Sequence, residues 1–208
     1  MHARLFPPST PPSVRKTSAP PTGEIRVKGI SIRSYLTILE AEHGDDVLRH
    51  VLQVVGTELA RAVRCGTIAQ GLWYPIGWYR ALHKSAQTVL GLDSAFSRRM
   101  GYLATRAELG GIYRVFAKLI SPQMTLHLGA KLFRTYYDRG HFRVIEWSHG
   151  HALSRWEACT GFDESVWEDV VGGITAFLET AGARRVRARV VAGGRDGDAS
   201  MDLEADWA

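Results

Sequence analysis

Aromatic side chains that end in a polar atom are the chemistry-bearing residues this sequence supplies most densely. Residues 71 to 79 read Gly-Leu-Trp-Tyr-Pro-Ile-Gly-Trp-Tyr, and Tyr113, Phe116, Phe133, Tyr136 and Tyr137 follow on later segments. Such rings bury a large apolar area and keep an O–H or N–H for one directed hydrogen bond. Gathered by helices, they either fill a core or line an apolar cavity with a few polar handles. The sequence leaves both outcomes open. For a cavity, Trp73, Tyr74, Trp78, Tyr113, Arg114 and Phe116 are the candidate ligand-binding residues, with Tyr74, Tyr113 and Arg114 as inward polar groups and Trp78 and Phe116 as walls.

The remaining candidate groups are sparser. His141, His149 and His151 gather around one predicted hairpin, where alternate residues share a face, but no carboxylate or thiol at metal-ligand spacing accompanies them, so no metal site is assigned. Cys65 and Cys159 are the only cysteines, which excludes a disulfide framework or a four-thiolate zinc site. Gly193-Gly194-Arg195-Asp196-Gly197 joins two strands and does not open a helix, so it lacks the aligned amides of a phosphate loop. No serine stands in a nucleophile-elbow context, and no catalytic residue is assigned.

The elements that position these groups follow from periodicity. Residues 24 to 30 alternate like a short strand, Ser31 opens a helix, and Gly44 stops it, leaving Asp45 and Asp46 to cap a second helix that ends near Gly66. The aromatic stretch 71 to 79 is read as the centre of the core, with Pro75 at the first turn of a helix that Gly91 terminates. Asp93 or Ser94 caps another helix through Ala107, Gly110 to Ile120 forms one more, and Ser121-Pro122 starts a helix running to Tyr136. Asp138-Arg139-Gly140 is a turn, beyond which the period falls to two. Residues 141 to 147 and 151 to 158 pair across His149-Gly150, and a helix from about Asp163 to Ala181 follows. In the last hairpin, a turn at Arg195-Asp196 would set Arg189 against Asp202, Arg187 against Glu204 and Arg185 against Asp206. Val186, Ala188, Val190, Met201, Leu203 and Ala205 would share the opposite face. The predicted fold class is α+β, a helical bundle on one side of an antiparallel sheet whose main hairpins are C-terminal.

Composition bounds the rest. With 208 residues, 45% hydrophobic and 23% charged, the chain is expected to form a single domain over residues 24 to 208 behind a proline-rich, disordered tail over residues 1 to 23. No apolar run is long enough to span a membrane and no secretory signal is visible, so a cytoplasmic protein is expected. The net charge of +5 admits an acidic partner. However, the arginines of residues 184 to 189 face carboxylates in the expected register, which argues against nucleic-acid binding.

With these residues in view, the chain resembles an uncharacterised family, expanded as paralogues in myxobacteria, related to four-vinyl-reductase-like and haem-NO-binding-like small-molecule domains. The resemblance is carried by Val27-Lys28-Gly29, Trp73-Tyr74-Pro75 with Leu82, Gly111 to Phe116, Ser121-Pro122, Tyr136 to Gly140, and the Gly161 helix with the final hairpin. It implies an α+β fold similar to that of TRAPP-type trafficking subunits. In the four-vinyl-reductase branch, hairpin cysteines hold zinc; here residues 185 to 206 contain none, and only Cys159 stands near an upstream ligand position. The haem branch implies an axial ligand on a helix and a Tyr-x-Ser-x-Arg arrangement. Here Tyr137-Asp138-Arg139 lacks that spacing, and His83 and His127 are the helical histidines that could serve as axial ligands.

The functional expectation is a non-enzymatic small-molecule-binding or sensory domain. Its apolar, aromatic-lined pocket would hold a small hydrophobic molecule, and the bound state would be read by a protein partner. No cofactor is expected, with haem at His83 or His127 as the exception to test. The alternative is a dimeric interaction or scaffold module, similar to the trafficking subunits, in which the aromatics are core and no ligand is bound.

Overall fold

A short strand, β1 (Arg26–Lys28), pairs antiparallel with β2 (Trp73–Pro75), so that Lys28 faces Trp73, Val27 faces Tyr74 and Arg26 faces Pro75. The computed structural model of the chain describes residue 23, residues 25 to 109 and residues 122 to 208, without the side chains of 122 to 127. The proline-rich tail, the helix expected over Gly110 to Ile120 with Tyr113, Arg114 and Phe116, and the side chains of Met124 and His127 lie outside the described residues.

The β1–β2 pairing corrects the reading of the aromatic stretch. Trp73, Tyr74 and Pro75 are extended, and α3 (Ile76–Leu90) begins only after them. The main-chain partners are on β1's side: Gly29 N–H donates to the Leu72 carbonyl and Ile76 N–H to the Ile25 carbonyl. Nor is the stretch the centre of the core. Gly71, Leu72 and Pro75 are exposed, Trp73, Tyr74 and Trp78 half-buried, and only Ile76 and Tyr79 buried.

Between the two strands, α1 (Gly29–Val54) bends at Gly44, whose φ of 85° is open to glycine and costly for other residues. Gly44 therefore redirects the helix where a full stop was expected, and the second helical run ends at Val54. Gly56, at φ 98°, separates it from α2 (Thr57–Arg64). On α1, Ile32, Tyr35 and Leu39 recur at spacings of three and four and are buried. As expected, Gly91 closes α3 in the left-handed conformation.

Next come α4 (Ala95–Leu109), α5 (Pro122–Tyr136), β3 (His141–Ser148), β4 (His151–Glu157), α6 (Glu164–Thr180), β5 (Arg187–Gly193) and β6 (Met201–Asp206). Asp93 Oδ1 accepts from Ala95 N–H at the start of α4, and Asp163 Oδ1 accepts from Val166 N–H at the start of α6. The four C-terminal strands form one antiparallel sheet in the order β3-β4-β6-β5. The fold is α+β, with its main hairpins C-terminal. One sheet face presents Phe142, Trp156, Met201, Leu203 and Ala205 to the core, where α6 contributes Val166, Trp167 and Leu178.

The last hairpin keeps the expected faces but not the expected register. Arg187 faces Asp206 and Arg189 faces Glu204, a slide of two residues, and a bulge at Val191 then sets Ala192 opposite Asp202. The connection is longer than two residues: Arg195 N–H donates to Asp198 Oδ2 at 3.0 Å, and Asp196 reaches away to accept from Glu164 N–H at 2.9 Å. The ion pairing changes accordingly. Arg189 bonds Glu204, Asp206 accepts His151 at 2.8 Å, and Asp202 is held by Arg155 of β4 through two bonds of 2.6 Å.

Candidate functional site

Three helices carry the same short spacing toward one point. On α4 the residues are Gly101, Ala104, Thr105 and Glu108; on α5 they are Gly129, Leu132, Phe133 and Tyr136; on α6, Asp169, Val170, Gly173, Ile174 and Phe177. Intervals of three and four keep each set on one helical face. Where these faces meet above Phe142 and Trp156 of the sheet they leave a partly open cavity of about 110 Å³, bordered on the α1 and α3 side by Ser31 and Tyr79.

The space exists because small residues stand where the helices converge. Gly101 and Gly172 let α4 and α6 approach until a Cβ at Gly101 would lie 2.1 Å from the Asp169 carbonyl oxygen, and one at Gly172 would lie 1.9 Å from that of Arg98. Gly129 does the same for the Phe142 ring, 2.3 Å from a notional Cβ. With backbones so close, Ala104 and Gly173 leave the gap between the larger rings unfilled.

The cavity has an acidic end. Glu108 accepts from Ser34 Oγ at 2.6 Å and from Tyr136 Oη at 2.7 Å, and Asp169 accepts from Tyr79 Oη at 3.1 Å. Asp169 is 8% exposed and is among the residues that line the cavity. Burial pushes its carboxyl up to about 7, helped by the neighbouring charge of Glu108 and opposed by the Tyr79 hydrogen bond. No Lys, Arg or His is among the described lining residues.

Behind Tyr79 lies a second buried polar group. The His83 ring sits 4.4 Å from Tyr35 and 4.6 Å from Tyr79, with Nδ1 2.8 Å from Ser97 Oγ. Its Nε2 points at Asp169 Oδ1 across 3.7 Å, too far for a hydrogen bond, and both that nitrogen and Tyr35 Oη lack a partner among the described residues. Burial pushes the imidazole down to about 3, so it is neutral at ordinary pH. A proton on Nε2 leaves Nδ1 to accept from Ser97 and turns an N–H dipole toward Asp169.

Of the aromatic residues singled out by sequence, the structure brings Tyr79, Phe133, Tyr136 and Tyr137 to this cavity. Trp73, Tyr74 and Trp78 stand elsewhere. Tyr74 stacks on Trp78 at 5.6 Å and its hydroxyl joins Ala69 N–H and the Thr67 carbonyl, while Lys28 Nζ lies 3.9 Å over the Trp73 ring. Asp169 and Glu108 were not singled out. The legible signal was an acid inside an apolar stripe, Asp169 between Val166, Val170 and Gly173, together with glycines at Gly101, Gly129 and Gly172-Gly173 on three helices. Cys159 is buried, its thiol pushed up to about 12 by desolvation, and Cys65 is exposed. His151 does find carboxylates, with Glu204 and Asp206 offering ligand atoms within 4.8 Å of it and of one another. The cross-strand register supplies these neighbours, which sequence spacing could not show. Both acids are already engaged, Glu204 by Arg189 and Asp206 by His151 itself.

No family model and no curated protein matches the sequence. Solved structures do match in shape. An Fe(II) unliganded H-NOX protein from K. algicida superposes with a TM-score of 0.66 at 10% identity, covering 87% of this chain and 96% of its own. A point mutant of T. tengcongensis H-NOX gives 0.66 at 13% identity, covering 86% and 97%. This chain has the H-NOX fold. An oxygen-binding H-NOX domain related to soluble guanylate cyclases matches likewise, at a TM-score of 0.60 and 12% identity over 86% of this chain and 94% of that one.

The H-NOX fold raises haem as a cofactor, and the described residues do not fit it. Among the described residues no histidine lines the cavity, and residues 110 to 121 contain none in sequence; the His127 side chain lies outside the described residues. The buried His83 is walled off by Tyr35 and Tyr79 and held by Ser97. Asp138 and Arg139 are used elsewhere: Asp138 takes Arg26 Nε at 2.8 Å, and Arg139 donates to the Gly23 carbonyl at 3.0 Å.

Proposed function

We propose that this protein is a non-enzymatic small-molecule-binding domain of a sensory system, with its ligand in the cavity between α4, α5 and α6. The observation that supports this most is the cavity itself: apolar and aromatic over most of its wall, with a buried carboxylate at one end. Interiors are close-packed, and an unfilled apolar space lined by a few polar residues is the usual form of a binding site. The volume suits a molecule of about benzene size or smaller, since a cavity of roughly 150 Å³ holds benzene. One similar structure is an H-NOX domain named as oxygen-binding, which supports a small-ligand site in this fold.

In this reading the bound state is passed to a protein partner or a second copy through β3 or β5, the strands at the two ends of the sheet order, where Trp147 and Val191 are exposed. A cytoplasmic location and membership of a set of myxobacterial paralogues belong to the same reading. So does the place of Trp73, Tyr74 and Trp78, which would serve as a contact patch and not as pocket wall. The interaction-module alternative, a TRAPP-like dimer without ligand, would rest on those sheet edges alone.

The test is a cavity-filling variant. Ala104→Leu extends a side chain into the space and should raise thermal stability while abolishing the stabilisation that small ligands give to the natural chain, both read by thermal denaturation. An absorbance scan of freshly purified full-length protein should show only the aromatic band. A Soret band, or ligand shifts that survive Ala104→Leu, would overturn the reading.

A further inference from the structure

The ligand's chemical class can be read from what surrounds the cavity, given the binding role just proposed. Two carboxylates, Asp169 and Glu108, border it. The tyrosine hydroxyls bonded to them, Tyr79 and Tyr136, have committed their single protons to these acids. What remains at this end of the wall is acceptor capacity and negative charge, and the described lining offers no cationic side chain to offset it. Around it stand Phe133, Tyr137, Phe142, Trp156 and Phe177, rings whose faces attract cations.

We propose that the cavity binds a small primary ammonium ion, its charged head set against Asp169 and its short aliphatic body against the aromatic wall. The head supplies three donors, the number that a carboxylate with free lone pairs can use, and it neutralises a charge that no cationic side chain of the described lining offsets. A neutral alcohol of the same shape brings one donor and no charge. A carboxylic acid brings like charge and is excluded. The volume of about 110 Å³ suits a body of a few carbons.

Asp169 is faced by Tyr35 of α1, Tyr79 and His83 of α3, Glu108 of α4 and Tyr137 beyond α5. None of these is a cation at neutral pH, His83 being held neutral by burial. Ammonium binding therefore requires the ionised Asp169 and strengthens as pH rises through its titration near 7, whereas binding of an alcohol does not.

Isothermal titration of the full chain with isobutylamine, isobutanol and isobutyrate tests the class. At about pH 8 the amine should bind at least about tenfold more tightly than the alcohol, as a charged hydrogen bond to a buried acid allows, and isobutyrate should not bind. Asp169→Asn should reduce the amine to the level of the alcohol while leaving alcohol binding in place, which also reports that the variant is folded. The natural chain alone gives a second readout: amine affinity should fall between about pH 8 and pH 6 while alcohol affinity stays level. Alcohol or carboxylate binding equal to that of the amine, or amine binding that is indifferent to pH, would refute the ammonium proposal and leave the cavity as a binding site. If none of the three binds, the cavity reading and this proposal fall together.

Discussion

Replacing Asp169 by Asn should make the protein more stable at neutral pH and change little in acid. The substitution keeps the shape and an acceptor oxygen for Tyr79 Oη, now 3.1 Å from Asp169 Oδ1, and removes only the ability to ionise. In the folded protein the carboxyl titrates near 7, against 3.8 when unperturbed. Because the folded state holds its proton more tightly than the unfolded one, the group's contribution is fully present below about pH 4 and is lost as pH rises through 7. The difference of about 3 pH units corresponds to on the order of 4 kcal/mol, which Asp169→Asn should recover at about pH 8. His83 works in the opposite direction. Its imidazole is pushed from 6.5 down to about 3, so the unfolded state takes up the proton first and stability falls as pH drops below 6.5. The two slopes nearly cancel in the natural chain between about pH 4 and 6.5, while the variant should keep only the His83 slope and gain stability across that interval. Urea unfolding followed by circular dichroism at several pH values gives the free energy of both proteins, and other titrating groups cancel in their difference. A difference that is constant from about pH 4 to pH 8 would refute the buried, proton-holding Asp169.

Three further outcomes follow from the packing. Gly172→Ala must separate α4 from α6, since its Cβ would meet the Arg98 carbonyl at 1.9 Å, and should cost about 1–3 kcal/mol; Gly173→Ala meets only the rotatable Thr105 hydroxyl at 3.1 Å and should be neutral or stabilising in the same denaturation assay. A disulfide reagent should label Cys65 quickly in the folded protein and reach Cys159 only on unfolding, because the latter is buried with its thiol pushed up to about 12; rapid labelling of both would contradict this. A double-mutant cycle should find coupling between Arg155 and Asp202 and none between Arg189 and Asp202, and the reverse would restore the register expected from sequence.

Local signals in the sequence determined where most elements begin and end. Gly91 closes α3 because glycine reaches the left-handed conformation freely, Pro122 opens α5 because a first-turn residue needs no N–H, and Asp163 caps α6 because its short carboxylate reaches Val166 N–H. The turn at His149-Gly150 and the alternation of Met201, Leu203 and Ala205 likewise depend on neighbours in the chain, and they stand as expected. The tertiary structure decided what depends on distant partners. Trp73 to Pro75 became a strand because β1, more than forty positions earlier, offers main-chain hydrogen bonds that a helix start would leave unmade. The last hairpin slid by two residues because its connection, from which Asp196 reaches the start of α6, is longer than the expected turn, and the bulge at Val191 takes back only one residue of the offset. Asp202 then met Arg155, a partner on a different strand that no pairing within the hairpin could indicate. The cavity belongs to this second class. Gly101, Gly129 and Gly173 are ordinary within their own helices, and only the convergence of α4, α5 and α6 turns their missing side chains into a space with Asp169 at its end.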